Sequence, residues 1–247
     1  MCIRDRIGIR ASQTAEIVFE DCRIPLDHLL GGMDKLDRKL ERARSGTSTG
    51  RASNALATFE LTRPMVGASA LGIAQAAYEW TLEYLLGDGV VLDPLEEMLD
   101  ESSTAGRPPL ERQHVQQVLA DVATEIEGAR LLVQRASWMG RNGIPLSAGQ
   151  GSMSKLKAGD VAMWATTRLM DLVGPAAAAS PLEKWFRDAK IYQLFEGTAQ
   201  VQRLVIARMQ TAEFRERIEG AQAAIESAER AAANGAEPAP EAALATA

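Results

Sequence analysis

Cysteine and histidine are scarce. The 247 residues hold Cys2, Cys22, His28 and His114, isolated from one another, so no disulfide framework and no recurring metal-ligand spacing can be built. Aromatic residues make up only 5%, which suits a helical bundle better than a β-sandwich. A surplus of positive charge is also missing: the net charge of −6 argues against a nucleic-acid footprint, which needs a basic face. No apolar run reaches the ~18–20 residues of a membrane span, and no secretory signal is present. A reducing cytoplasm is the default location. What the chain does have is apolar mass, 46%, enough for a substantial core in one large or two small domains.

The pattern along the chain is predominantly helical. Residues 15–24 alternate in a β-rich way, with Ile17 and Phe19 on one face and Pro25 ending the run, and predict a strand. Residues 33–44 are charged and amphipathic, and 45–50 read as a flexible loop. Helical periodicity predicts long helices over 55–86, 110–139, 152–173 and 199–231, with a short one over 181–190. In the first, Ala68, Leu71, Gly72 and Gln75 are expected to form a small-residue face; in the second, Val115, Val118, Leu119, Val122 and Ile126 form an apolar stripe. Gly174-Pro175 stops the third. Residues 93–106 read as an acidic inserted loop, and 234–247, rich in Ala, Pro and Glu, as disordered. Long helices joined by short turns imply an up-down four-helix bundle, mainly α, preceded by a single strand.

One segment carries chemistry. In residues 187–204, Arg-Asp-Ala-Lys-Ile-Tyr-Gln-Leu-Phe-Glu-Gly-Thr-Ala-Gln-Val-Gln-Arg-Leu, the apolar Ile191, Leu194 and Phe195 lead up to Glu196. Burial raises the pKa of a carboxylate toward the range useful to a general base. Gly197 permits close backbone approach to a ligand. Thr198 is placed to cap a following helix, in which Val201, Leu204, Val205 and Arg208 share a face. Taken alone, Glu196 reads equally well as a helix-terminal carboxylate serving the macrodipole.

The run 187–204 closely resembles the segment bearing the catalytic base in acyl-CoA dehydrogenases, and the resemblance extends over about residues 7–209. It implies a carboxy-terminal helical bundle (residues 55–232) packed in a homo-oligomer, dimer or tetramer. It further implies FAD between the bundle and a middle β-domain, an acyl-CoA substrate, and an electron-transfer flavoprotein as acceptor. Residues 7–32 are then the end of that β-domain and 33–54 a linker or insertion. Met1-Cys2-Ile3-Arg4-Asp5-Arg6 resembles a translated sequencing adapter, so residues 1–6 are expected to be an artefact on a piece of a longer protein; an ordinary start is the alternative.

Residue by residue, the resemblance makes Glu196 the α-proton base. Relatives that draw the base from the first long helix would use the position of Thr62, where threonine cannot serve. Glu60, Thr62, Arg63, Gly197 and Arg208 match substrate-side positions, although Arg63 also reads as a surface cation. Gln113, Asp171, Gly174, Thr198 and Gln200 match positions beside FAD, with Ala199 offering only its backbone; Gln113 also reads as a solvated helix residue. Two elements depart from the family. Its Arg-x-x-Phe-Gly element is replaced by the acidic residues 87–109, where Arg107 is a candidate substitute cation and a solvated acidic loop the rival reading. Its Gly-Gly after the third helix is Gly174-Pro175, which loses one N–H. An acyl-CoA oxidase of the same superfamily and a non-catalytic helical oligomerisation module are the competing functions.

Overall fold

The computed structural model describes residues 6–12, 15–29, 31–46, 54–87 and 108–233. Helices α1 (Gly32–Arg44), α2 (Asn54–Leu86), α3 (Gln113–Arg141), α4 (Gln150–Val173), α5 (Pro181–Tyr192) and α6 (Ala199–Ala233) agree closely with the periodicity. Arg107, the carboxylates Asp93, Glu96, Glu97, Asp100 and Glu101, and residues 234–247 lie outside the described residues. Among the described residues no helix is long and apolar enough to cross a membrane.

The fold is a helical bundle with α4 at its centre, in contact with α2, α3, α5 and α6. Small residues make this possible. Ala158, Ala162, Ala165 and Thr166 are completely buried, and Gly151 lies so close to α2 that an added Cβ would stand 2.2 Å from the Glu60 carbonyl oxygen. Hydrophobic residues of α3 fill the opposite side: Val115, Val118, Leu119, Val122 and Ile126 are all buried, as their stripe requires. Gly67 against Val133 and Gln75 against Arg130 run α3 antiparallel to α2. Gly151 against Glu60 and Gly67 against Ala158 run α2 parallel to α4.

The structure locates the buried faces of α2 and α6 and corrects one expected element. In α2 the buried face is Arg63, Gly67, Ala70, Leu71, Ala74, Ala77, Thr81 and Leu85; of the expected small-residue face Leu71 is buried and Gln75 half-buried, whereas Ala68 and Gly72 are exposed. Small residues surround this helix, so their spacing alone does not select a face. The strand expected over 15–24 does not form, and no strand occurs among the described residues. A strand exists by pairing, and no second strand lies beside this one; Ile17, Val18 and Phe19 are 75, 70 and 76% exposed. In α6, Val201, Leu204 and Arg208 are exposed and Val205 is half-buried, while the buried Ala199 and Gln202, with Ile206 and Met209 against Gly149, face the bundle.

Residues 6–12 are held on α5. Ile9 N–H donates to Asp188 Oδ1 (2.6 Å), Arg187 Nη1 donates to the Ile7 carbonyl (2.9 Å), and a Cβ on Gly8 would collide with the Arg187 backbone. Burial alone would raise the Asp188 carboxyl. Hydrogen bonds from Lys184 and Ile9 N–H, with the charges of Lys184 and Arg187, hold it below the usual range.

Candidate active site

The connection between α5 and α6 is a tight turn with its polar groups turned inward. The Leu194 and Phe195 N–H groups donate to the Ile191 carbonyl, and Ala199 N–H closes the turn on the Gln193 carbonyl at 2.8 Å. Thr198 Oγ1 accepts from Val201 N–H (3.3 Å), the N-cap expected for α6. Within the turn Glu196 has φ +56° and Gly197 φ +91°. Glycine adopts that region freely, whereas a glutamate does so at a cost of ~1–2 kcal/mol. Two buried side chains hold the conformation. Gln202 Nε2 donates to the Glu196 and Gly197 carbonyls (2.9 and 3.2 Å), and Lys155 Nζ donates to the Gly197 carbonyl at 2.8 Å.

Glu196 is half-buried, and its Oε2 is shielded from solvent without a hydrogen-bond partner. The approach is less enclosed than the sequence implies: Ile191 is buried, but Leu194 is 49% and Phe195 36% exposed. With Val201 and Leu204 they form an apolar surface around the turn. Phe195 packs edge-on against Tyr192, ring centroids 5.0 Å apart.

Lys155 was not anticipated. It is almost wholly buried in α4. Burial, reinforced by the Arg63 charge, lowers its pKa to about 8 against the opposing pull of Asp160 and Glu196. A signal did exist: Lys155 interrupts the buried face that continues through Ala158, Ala162 and Ala165. A lysine on a buried helical face requires a partner.

Beyond Lys155 lies a second cluster. Arg63, 4% exposed, pairs with Glu60 and donates through Nη1 to Ser152 Oγ at 2.7 Å. Ser152 in turn donates to Glu60 through its hydroxyl and its backbone N–H. Arg63 is thus an interior cation rather than a surface one, and its Nε is buried and unpartnered. Thr62 is half-buried and donates its hydroxyl to the Phe59 carbonyl of its own helix (3.3 Å).

The remaining candidates divide between the two ends of the bundle. Gly197, Thr198 and the exposed Gln200 adjoin Glu196, and Gln200 borders a cleft of about 310 Å³ with Asp160, Lys190 and Arg203. Arg208 is exposed further along α6. Gln113 opens α3, Asp171 is exposed near the end of α4, and Gly174 closes α4 with φ +67°, its N–H donating to the Met170 carbonyl. At 1.5 Å per residue, Asp171 is about 28 Å along α4 from Ser152.

A central small-residue helix, a glutamate turn with positive φ and a buried Glu–Arg pair on the neighbouring helix characterise this helical domain. The chain belongs to the acyl-CoA dehydrogenase family: the family's "Acyl-CoA dehydrogenase, C-terminal domain" pattern matches residues 52–211. Cyclohexane-1-carbonyl-CoA dehydrogenase of Geobacter metallireducens is 36% identical over 208 residues, covering 83% of this chain and 47% of that protein. The mitochondrial short-chain specific acyl-CoA dehydrogenase of Mus musculus is 33% identical, covering 82% and 42%. Butyryl-CoA dehydrogenase from Megasphaera elsdenii superposes with a TM-score of 0.66 at 32% identity, covering 83% and 46%. The chain therefore spans less than half the length of these relatives.

Proposed function

We propose that this chain is the carboxy-terminal part of a cytoplasmic, FAD-dependent acyl-CoA dehydrogenase that desaturates an acyl-CoA thioester between its α and β carbons. Glu196 is the α-proton base. The observation that carries this reading is Glu196 itself, a carboxylate with a buried, unpartnered oxygen on a strained turn pinned by Lys155 and Gln202. A buried acceptor without a donor is costly unless a ligand supplies one. The neighbouring exposed apolar surface of Leu194, Phe195 and Val201 fits an acyl chain and a planar ring system, with the Thr198 hydroxyl and Gln200 amide at its border. These residues fit FAD, which when bound accepts the hydride leaving the β-carbon.

The chain's own residues divide the remaining work. Glu196 takes the α-proton through a carboxylate aimed by the backbone turn, and Gln202 and Lys155 keep that aim by fixing both carbonyls of the turn. Glu60, Thr62, Arg63, Gly197 and Arg208 are assigned to the acyl-CoA side. Arg63 acts from the interior, orienting the start of α2 through Glu60 and Ser152. Gln113, Asp171 and Gly174 stand at the far end of the bundle, and we assign them to the FAD of a neighbouring copy in a homo-oligomer. Electrons then pass to an electron-transfer flavoprotein. Residues 7–32 belong to the preceding domain in this reading, and 55–232 form the bundle.

The test is Glu196→Gln in the whole enzyme. FAD and acyl-CoA binding should persist while anaerobic flavin reduction by substrate falls by ~10²-fold or more. Flavin bleaching at a near-normal rate would remove Glu196 from the role.

A further inference from the structure

Helix α4 meets the Glu196 turn through the run Lys-Leu-Lys-Ala-Gly-Asp, residues 155–160. Lys155 reaches the middle of the turn at the Gly197 carbonyl. Gly159 is buried against the end of α5, where an added Cβ would stand 2.9 Å from the Tyr192 carbonyl oxygen, so the bare backbone lets the two helices close together. Asp160 follows directly, and the established assignments leave it without a role.

The two carboxylate oxygens of Asp160 go to opposite sides of the turn. Oδ1 accepts from Gln193 Nε2 (2.8 Å), ahead of Glu196 in the chain, and Oδ2 accepts from Arg203 Nη2 (2.7 Å), beyond it in α6. Gln193 is itself fixed: its Oε1 accepts from Lys190 Nζ (2.9 Å) and its carbonyl from Ala199 N–H (2.8 Å). One half-buried carboxylate therefore ties the C-cap of α5 to the second turn of α6, with Glu196 between them. Stability alone does not account for the arrangement, because the Arg203 side chain is 56% exposed and an ion pair so placed contributes little. Its consequence is geometric. The turn holds Glu196 at φ +56°, and a side chain that spans both ends resists their relaxation.

We infer that Asp160 is a positioning residue for the base, acting on Glu196 through Gln193 and Arg203 without touching substrate or the reacting atoms. The inference rests on the assignment of Glu196 as that base. The task requires a carboxylate. Asparagine has nearly the same shape but a single acceptor oxygen, so its amide N–H groups would meet either the Gln193 amide or the Arg203 guanidinium, donor against donor. Gln193 cannot answer by turning its own oxygen inward without giving up Lys190. A reacting group displaced by about 1 Å can cost about 10²-fold in rate, so partial release of one arm is expected to be visible in the chemical step.

The experiment is Asp160→Asn, read in two ways. In the whole enzyme, anaerobic flavin reduction at saturating acyl-CoA should slow about tenfold, while KM and FAD retention stay within about twofold of wild type. In a Glu196→Gln background the same change should slow reduction no further, because the group it positions is gone. In the 247-residue chain, amide exchange at Ala199 and Val201 should quicken about tenfold while Val122 and Ile126 in α3 keep their protection. Arg203→Met, which removes one arm, should give a smaller effect in both assays. Lys157→Ala, which breaks the pair with Glu125, should give none. Unchanged exchange at Ala199 and Val201, alongside the expected loss in Glu196→Gln, overturns this inference alone. A raised KM or lost FAD with the reduction rate kept would make Asp160 part of a ligand site and also overturns it, as does an additive loss in the Glu196→Gln background. Near-normal reduction by Glu196→Gln itself overturns the assignment of the base and this inference with it.

Discussion

Lys155→Met should separate the stability of the bundle from the geometry of the turn. In the folded protein the Lys155 ammonium is buried, and its pKa falls to about 8 from 10.5. The unfolded chain therefore binds more protons than the native state between those values, and stability rises with pH across that window. Each pH unit of full difference contributes about 1.4 kcal/mol, so from pH 8 to 9.5 the wild type should gain about 2 kcal/mol that Lys155→Met does not. At pH 7 two effects oppose. Methionine removes the unfavourable burial of a charge, but it also removes the donor to the Gly197 carbonyl, a bond to a charged group of about 1.5–3 kcal/mol. The terms are of similar size, so the variant should lie within about 1 kcal/mol of wild type at pH 7 and fall behind as pH rises. Urea unfolding of both proteins at pH 7, 8 and 9.5 measures this. A stability difference that stays flat with pH, or narrows, would refute the claim that Lys155 is held charged against its own burial.

Two other outcomes follow from the packing. Gly151→Ala would place a methyl group 2.2 Å from the Glu60 carbonyl oxygen, so α2 and α4 must separate; a loss of about 1–3 kcal/mol is expected in thermal or urea unfolding, and an unchanged midpoint would contradict the close approach. The depressed Asp188 carboxyl stabilises the docked 6–12 segment above the ordinary carboxylate pKa and loses that contribution as pH falls through the lower folded value. Amide exchange at Ile9 should therefore lose its protection on acidification below about pH 4, and Asp188→Asn should remove the pH dependence.

Much of the bundle was legible because α3, α4 and α5 are bounded by strong stop signals and carry residues whose periodicity has one solution. Alanine and glycine spread around α2 blurred that uniqueness, and of the face drawn from Ala68, Leu71, Gly72 and Gln75 only Leu71 is buried. Residues 15–24 show the opposite failure: side-chain alternation predicted a strand, but a strand depends on a partner that no local pattern supplies. At the site, Gly197 was legible as a point of close backbone approach and Thr198 as a helix cap, whereas the turn's supports were not. Lys155 and Gln202 reach the turn from α4 and from within α6, and only tertiary contact shows that a lysine and a glutamine serve backbone carbonyls. The alternative reading of Arg63 as a surface cation stayed open for the same reason, since its counter-charge Glu60 lies one turn earlier but Ser152 comes from another helix.

The positive φ of Glu196 sets fold and chemistry against each other at one position. A glycine there would relax the backbone and unburden the turn, so selection for thermal robustness alone would favour erasing the carboxylate. The same substitution would remove the only acidic side chain in the turn. With Glu196 as the proposed base, position 196 is a place where directed evolution screened on heat tolerance would drift toward an inert protein, and where a screen must reward turnover as well as survival.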